Sequence, residues 1–356
     1  MAARATVTPK EAAIVVQAWP GMDGAAVAPL GGGLINDTFA VTPRDGPPVV
    51  LQRLHPVFSP EIHHNIATVT ERLAASGMMT PRIVATQQGA LWATVDDEPW
   101  RLMTRVAGVT HDTVSSPAQA FAAAALLGRF HAALEGLDPA GFVGLRTGVH
   151  DTEGHLARLA AAVAEGRAHR LHDRVAPLAD ALLERAQQLP ALPSAPPRIV
   201  HGDPKLNNVV FAASQGDPKA RAWIDLDTVG PMPLAYELGD AWRSWCNPAG
   251  ENAAAASFDA AVFEASLAGW ASAVVPPPTA AEREGLLHGV EWITLELSAR
   301  FLADALLESY FGWDPTRFAS RGDHNLARAR SQWSMHECVL ATRTLRADAL
   351  RRSLGA

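Results

Sequence analysis

Near Gly108 the hydrophobic pattern of this chain changes its period, and that change restricts the folds open to it more than any other feature. Before it, short runs rich in β-branched and aromatic residues read as strands: Phe39-Ala-Val, Val49-Val-Leu-Gln-Arg-Leu, Leu91-Trp-Ala-Thr-Val and Trp100-Arg-Leu-Met-Thr-Arg-Val. Pro43-Arg-Asp-Gly-Pro-Pro and Asp96-Asp-Glu-Pro supply turns between them. Residues 8–18 predict a short helix with Thr8 as its cap and Pro9 in the first turn, and residues 60–75 predict a second behind Ser59. After Gly108 the apolar residues recur at helical spacing, as in Ala123, Leu127, Phe130 and Leu134, or Leu286, Val290, Ile293, Leu297, Phe301 and Ala305. Abundant alanine favours helix there. The expected fold class is α+β, with a small, mostly antiparallel sheet over residues 1–108 and a larger helical part over 109–356.

One short region breaks the helical texture. Pro197-Arg-Ile-Val leads into the polar loop His201-Gly-Asp-Pro-Lys-Leu-Asn-Asn208, then Val-Val-Phe, and shortly afterwards Ala222-Trp-Ile-Asp225-Leu-Asp227. Small strands flanking a loop are the natural reading, and polar groups gathered at strand ends are where chemistry is usually placed. Asp203 taken alone would be an ordinary turn residue. With it, an amide and two further carboxylates gather within a short stretch.

This constellation resembles the catalytic core of the aminoglycoside phosphotransferase and choline kinase superfamily, where the loop is His-Gly-Asp-x-x-x-x-Asn. The resemblance implies a two-lobed, protein-kinase-like fold: a nucleotide-binding lobe over 1–108, and a helical lobe over 109–356 with the catalytic loop and acceptor site. It implies ATP and Mg²⁺ as cofactors. Asp203 becomes the base that orients the acceptor hydroxyl, and Asn208 and Asp225 the hard oxygen ligands of the metal. Lys205 would steady the transferring phosphoryl group, Asp227 would be a second metal ligand or a support for the loop, and His201 a packing support. Gly31-Gly-Gly-Leu-Ile-Asn-Asp-Thr-Phe is similar to the superfamily's glycine-bearing turn over the phosphates, with Gly32, Gly33, Asn36 and Thr38 in the nucleotide site. Protein kinases carry a phosphate-gripping lysine on the third strand. Arg53 stands at the matching place, either gripping phosphate with a partner in Glu61 or Glu71, or simply lying on the strand surface. Met103 and Arg105 would lie beside adenine where the lobes join.

Within the superfamily, three passages look like N-acetylhexosamine 1-kinases: Gly33-Leu-Ile-Asn-Asp-Thr-Phe with Leu51-Gln-Arg-Leu, the catalytic loop with Ile224-Asp-Leu-Asp-Thr-Val, and Arg300-Phe-Leu-Ala-Asp near Tyr310-Phe. Those kinases typically have Thr where Pro204 stands. The resemblance places Arg300, Asp304 and Tyr310 in an acceptor pocket and implies transfer to the anomeric hydroxyl of a hexose or N-acetylhexosamine. An aminoglycoside or amino-alcohol kinase, or a catalytically silent pseudokinase, remains the alternative.

The net charge of −7 lacks the basic balance of a duplex-binding protein, so the expected partner is a small hydroxyl acceptor and no nucleic acid. Cys246 and Cys338 are too few for a disulfide framework and read as reduced thiols. No uncharged apolar run reaches the ~18 residues of a membrane span, and the N-terminus lacks a signal-peptide core. A cytoplasmic monomer or homodimer is the expectation.

Overall fold

The computed structural model describes residues 6–31, 36–213, 216–250 and 255–355. The N-terminal part contains α1 (Pro9–Val15), β1 (Ala26–Pro29), β2 (Asp37–Thr42), β3 (Val49–Arg53), α2 (Ile62–Ala75), β4 (Ile83–Val84), β5 (Ala93–Val95) and β6 (Glu98–Thr104). Its strands form one antiparallel sheet in the order β1-β2-β3-β6-β4, with β5 paired to β6. Thr8 caps α1 through a capping box with Glu11. The hairpin between β5 and β6 turns on Asp96 and Asp97, both at positive φ (51° and 61°), as a two-residue turn of this hand requires. Helix α2 starts at Ile62, two residues later than its pattern suggests, because Pro60 and Glu61 form a turn on Ser59.

The C-terminal part continues with α3 (Pro117–Leu134), α4 (Thr152–Glu165), α5 (His172–Gln188), β7 (Arg198–Val200), β8 (Val209–Phe211), β9 (Ala220–Trp223), β10 (Gly230–Met232), α6 (Leu234–Trp245), α7 (Ala260–Ala271), α8 (Ala280–Leu307), α9 (Arg321–Ala341) and α10 (Arg343–Leu354). The strands on either side of the His-Gly-Asp loop do not pair with each other. β7 pairs with β10 and β8 with β9, so the loop is suspended between two small antiparallel ladders. Val109 bridges to Phe211, which ties the segment after β6 directly to β8.

Alternation along β2, β3 and β6 divides the sheet. Phe39, Val41, Val49, Leu51, Trp100 and Leu102 pack with Ala12, Val15 and Trp19 on one face. Met103 and Leu54 join the main core with α2, α3 and α6. A third cluster unites α4, α5, α8 and α9. Helices α6 and α8 cross closely, because a Cβ on Gly239 or Gly289 would collide with the facing backbone of Gly289 or Ala235. No helix among the described residues is long and apolar enough to cross a membrane.

Candidate active site

The loop after β7 is held open by an acid that the sequence reading passed over. Glu237, on α6 and 1% exposed, accepts the backbone N–H groups of His201 (3.0 Å) and Gly202 (2.9 Å). Gly202 has φ 83°, and a side chain there would strike the Thr228 carbonyl. The His201 ring is fully buried, and burial pushes its pKa down, so the imidazole stays neutral. Its Nε2–H donates to the Ile224 carbonyl (2.9 Å) while Nδ1 accepts from the Asp203 N–H (3.3 Å). His201 therefore joins the catalytic loop to the end of β9 and offers no free nitrogen to a substrate.

This scaffold brings Asp203, Asn208 and Asp225 together. Asn208 Nδ2 donates to the Asp203 carbonyl (2.8 Å) and reaches its carboxylate at 3.3 Å. Its own carbonyl accepts from the Ile224 N–H (2.9 Å), which anchors the residue before Asp225. Asp225 stands at φ 62°, left-handed backbone that a non-glycine residue seldom adopts and that clusters at functional sites. Asp225 is an exposed residue with the charged groups of Asp203, Asp227, Arg101 and Lys205 close enough to act on it. Desolvation first, then the negative charges of Asp227 and Asp203, push its pKa up to about 7, against the pull of Arg101 and Lys205. Lys205 Nζ bridges both Asp203 oxygens (2.9 and 3.1 Å), and that carboxylate raises the pKa of the half-exposed ammonium.

Asp227 is placed differently from its neighbour. Its Oδ2 accepts from Asn36 Nδ2 (2.7 Å), and its Oδ1 is ion-paired with Arg101. Asn36 Oδ1 in turn accepts from the His55 N–H (2.9 Å). In strand register Thr38 faces Gln52 and Gln52 faces Arg101, and these side chains are linked: Gln52 Nε2 donates to Thr38 Oγ1 (3.2 Å), and Gln52 Oε1 accepts from Arg101 Nε (2.9 Å) and Nη2 (2.8 Å). Asn36 thus meets the C-terminal part at Asp227 directly, and Thr38 is linked to it through Gln52 and Arg101. Asp227, expected as a second metal ligand or a support for the loop, has its contacts here with Asn36 and Arg101 of the N-terminal part.

Arg53 corrects the sequence expectation. It is one residue beyond Gln52, so its side chain leaves the opposite face of β3 and lies 6.0 Å from the Trp100 ring. Asp37 (2.7 Å) and Glu98 (2.5 Å), from β2 and β6, pair its guanidinium in place of an acid on α2. Met103 is buried and Arg105 exposed where β6 ends. Gly32 and Gly33 lie outside the described residues.

On the helical side, α6 presents Tyr236 and Asp240. Burial raises the Asp240 pKa, but Arg243 (2.7 Å) and Lys205 outweigh it and hold the carboxyl below its usual range. Tyr236 stacks on His150 (4.7 Å, 8°), and His150 Nδ1 lies 3.1 Å from Glu296 on α8. Glu296 also accepts from Thr152 Oγ1 (2.6 Å) and lies 3.7 Å from Arg300. Arg300 covers the Phe311 ring at 5.7 Å, and the exposed Tyr310 accepts from Arg146 through its hydroxyl. Asp304 departs from the pocket role expected for it. It is 3% exposed, and its oxygens accept from the N–H groups of Ser309, Tyr310 and Phe311 (2.9 Å each) and from Asn325 Nδ2 (2.8 Å). It shapes the loop after α8 instead of facing a ligand.

Among the described residues no group of three or more His, Cys, Asp or Glu side chains forms a metal site. Asn208 with Asp225 is a smaller, hard-oxygen donor set. No described group donates to Asn208 Oδ1, and the repulsion around Asp225 is what a divalent cation would relieve. The residues present fit such an ion, with remaining positions for phosphate oxygens and water.

A small antiparallel sheet set on a helical body, with acid, amide and acid converging beneath it, defines a phosphotransferase of the kinase-like fold. Residues 26–273 match the phosphotransferase enzyme family, APH, and the chain belongs to that family. Solved structures share its fold at low sequence identity. An aminoglycoside phosphotransferase from Alicyclobacillus acidocaldarius matches with a TM-score of 0.63 and 16% identity, over 97% of this chain and 98% of that one. A microcompartment-associated aminopropanol kinase matches at 0.58 and 19%, over 96% and 99%. An amicoumacin kinase in complex with AMP-PNP, Ca²⁺ and Ami matches at 0.58 and 16%, over 87% and 88%.

Proposed function

We propose that this chain transfers the terminal phosphoryl group of Mg·ATP to a hydroxyl of a small polar molecule, with the lobe boundary near Gly108 and the nucleotide between the lobes. The convergence of Asp203, Asn208 and Asp225 on one loop system carries this reading. Asp203 orients the acceptor hydroxyl and takes its proton, and Lys205 fixes the carboxylate while adding positive charge beside the phosphoryl group. Asn208 and Asp225 would hold Mg²⁺, which supplies charge neutralisation on the phosphates.

The acceptor-side charges support a neutral, hydroxyl-rich acceptor such as a hexose or N-acetylhexosamine. Three carboxylates there already have cations: Asp203 has Lys205, Asp240 has Arg243, and Glu296 has Arg300. An ammonium acceptor would have to displace one of them. Arg300 and Tyr310 would pair ring hydroxyls and offer an aromatic face. The aminopropanol and aminoglycoside acceptors named for proteins of this fold define the second reading.

A screen of ATP consumption against hexoses, N-acetylhexosamines, amino alcohols and aminoglycosides tests this. Turnover with a neutral sugar is expected, and Asp203→Asn should lower kcat by roughly 10²–10⁴ while nucleotide affinity stays near wild type. Turnover of amines alone would establish the second reading. Nucleotide binding without turnover of any acceptor would point to a pseudokinase.

A further inference from the structure

We propose that Arg101 is a positioning residue for phosphoryl transfer: it holds Asp227 against the N-terminal sheet, off the metal, and leaves Asn208 and Asp225 as the chain's metal pair. This rests on the phosphotransfer reading above. Arg101 is on β6, one strand over from the place where the resemblance implies a phosphate-gripping cation, and register brings it across from Gln52. Two hydrogen bonds from its Nε and Nη2 converge on Gln52 Oε1 and fix the guanidinium plane, and Thr38 holds Gln52. That leaves Nη1 aimed at Asp227.

The pair is almost sealed from water, with side-chain exposures of 1% for Arg101 and 3% for Asp227. Such a pair adds little net stability, because desolvation offsets the attraction; its value is geometric. Here it joins the sheet to the residue two positions beyond Asp225. Asn36 takes the other Asp227 oxygen, so both are occupied from the N-terminal side. Removing Arg101 would leave a buried carboxylate one step from the metal pair with its cation gone. That carboxylate would then repel Asp225 or compete with it for the ion.

The test is a Mg²⁺ titration of binding to the non-hydrolysable analogue AMP-PNP, by calorimetry on the full chain, with thermal melting alongside. Arg101→Met is expected to raise the Mg²⁺ concentration at half-saturation by about 10–100-fold, the range for residues that orient metal ligands. AMP-PNP affinity in EDTA should change less than about threefold, a shift too small to mark a lost phosphate contact. Adding Asp227→Asn to Arg101→Met should recover most of the loss, because it removes the orphaned charge. An equal loss with and without Mg²⁺ would overturn the proposal by making Arg101 a phosphate ligand. So would a lower melting temperature with an unchanged Mg²⁺ midpoint, which marks a merely structural role. Should Arg101→Met fail to fold, Arg101→Gln, which also removes the cation but keeps a polar side chain, is read by the same criteria. A wild-type chain that binds no AMP-PNP would instead defeat the phosphotransfer reading itself.

Discussion

Replacing Asp225 by Asn should make the metal-free protein more stable, and by clearly more at pH 8 than at pH 5. Asparagine tolerates the left-handed backbone at φ 62°, so the substitution changes charge and little else. Displacement of the carboxyl from 3.8 to about 7, at about 1.4 kcal/mol per pH unit, amounts to roughly 4 kcal/mol against the charged form. Water reaches this side chain, so screening cuts the figure to roughly 1–2 kcal/mol. The folded chain holds this proton more tightly than the unfolded chain does. Wild-type stability therefore falls as pH rises from about 4 to about 7, and the whole penalty stands above that window. Urea denaturation of both proteins in EDTA at pH 5 and pH 8 measures the difference, with the gap at pH 5 expected at about 40% of that at pH 8. A variant less stable than wild type at pH 8, or a gap that does not change with pH, would refute the reasoning. Mg·AMP-PNP should stabilise the wild type far more than the variant, because the same crowded charge is what the ion needs.

Glu237→Gln leaves one acceptor oxygen for two backbone N–H groups, so it should lower stability by about 2 kcal/mol and depress kcat more than it changes nucleotide affinity; unchanged melting and kcat would rule out the anchoring role. Glu291 on α8 is buried with Arg346 and also binds Arg343 and His288. Burial works against its charge, but these partners prevail and hold its pKa at about 2, so its contribution is full above pH 4.5 and is lost only as pH falls toward 2. Glu291→Gln at pH 7 should therefore lose about 3–5 kcal/mol in denaturant unfolding, and a loss below 1 kcal/mol would contradict that. Asp304→Ala frees the turn at 309–311 and should raise the acceptor KM while kcat stays close to wild type, with faster proteolysis at that turn as the independent check.

The sequence exposes those features that repeat locally. Alternation in Phe39–Val41 and Val49–Arg53 marks strands, helical stripes mark α3, α5 and α8, and the His-Gly-Asp loop announces itself by spacing. β1 and the two-residue β4 went unread, since each is too short to show a period. The assignment of Arg53 turned on a single residue. In a strand neighbouring positions face opposite ways, so the choice between Gln52 and Arg53 as the cleft-side group depends on which face is buried. Arg101 looked like an ordinary strand residue because its partner, Asp227, is distant in sequence. Glu237 lies within Tyr236-Glu-Leu-Gly-Asp240, three residues before a second acid, and only the fold shows which of the two meets the loop amides.

The tight crossing of α6 and α8 ties two tasks to one bracket. α6 carries Glu237 and so sets the height of the transfer loop, while α8 carries Glu296 and Arg300 on the wall where an acceptor would rest. Since backbone meets backbone at Gly239 and Gly289, neither helix can slide without the other. Exchanging outward-facing groups on α8 and the turn beyond it could retune which molecule is accepted while the distance to the phosphate stays put.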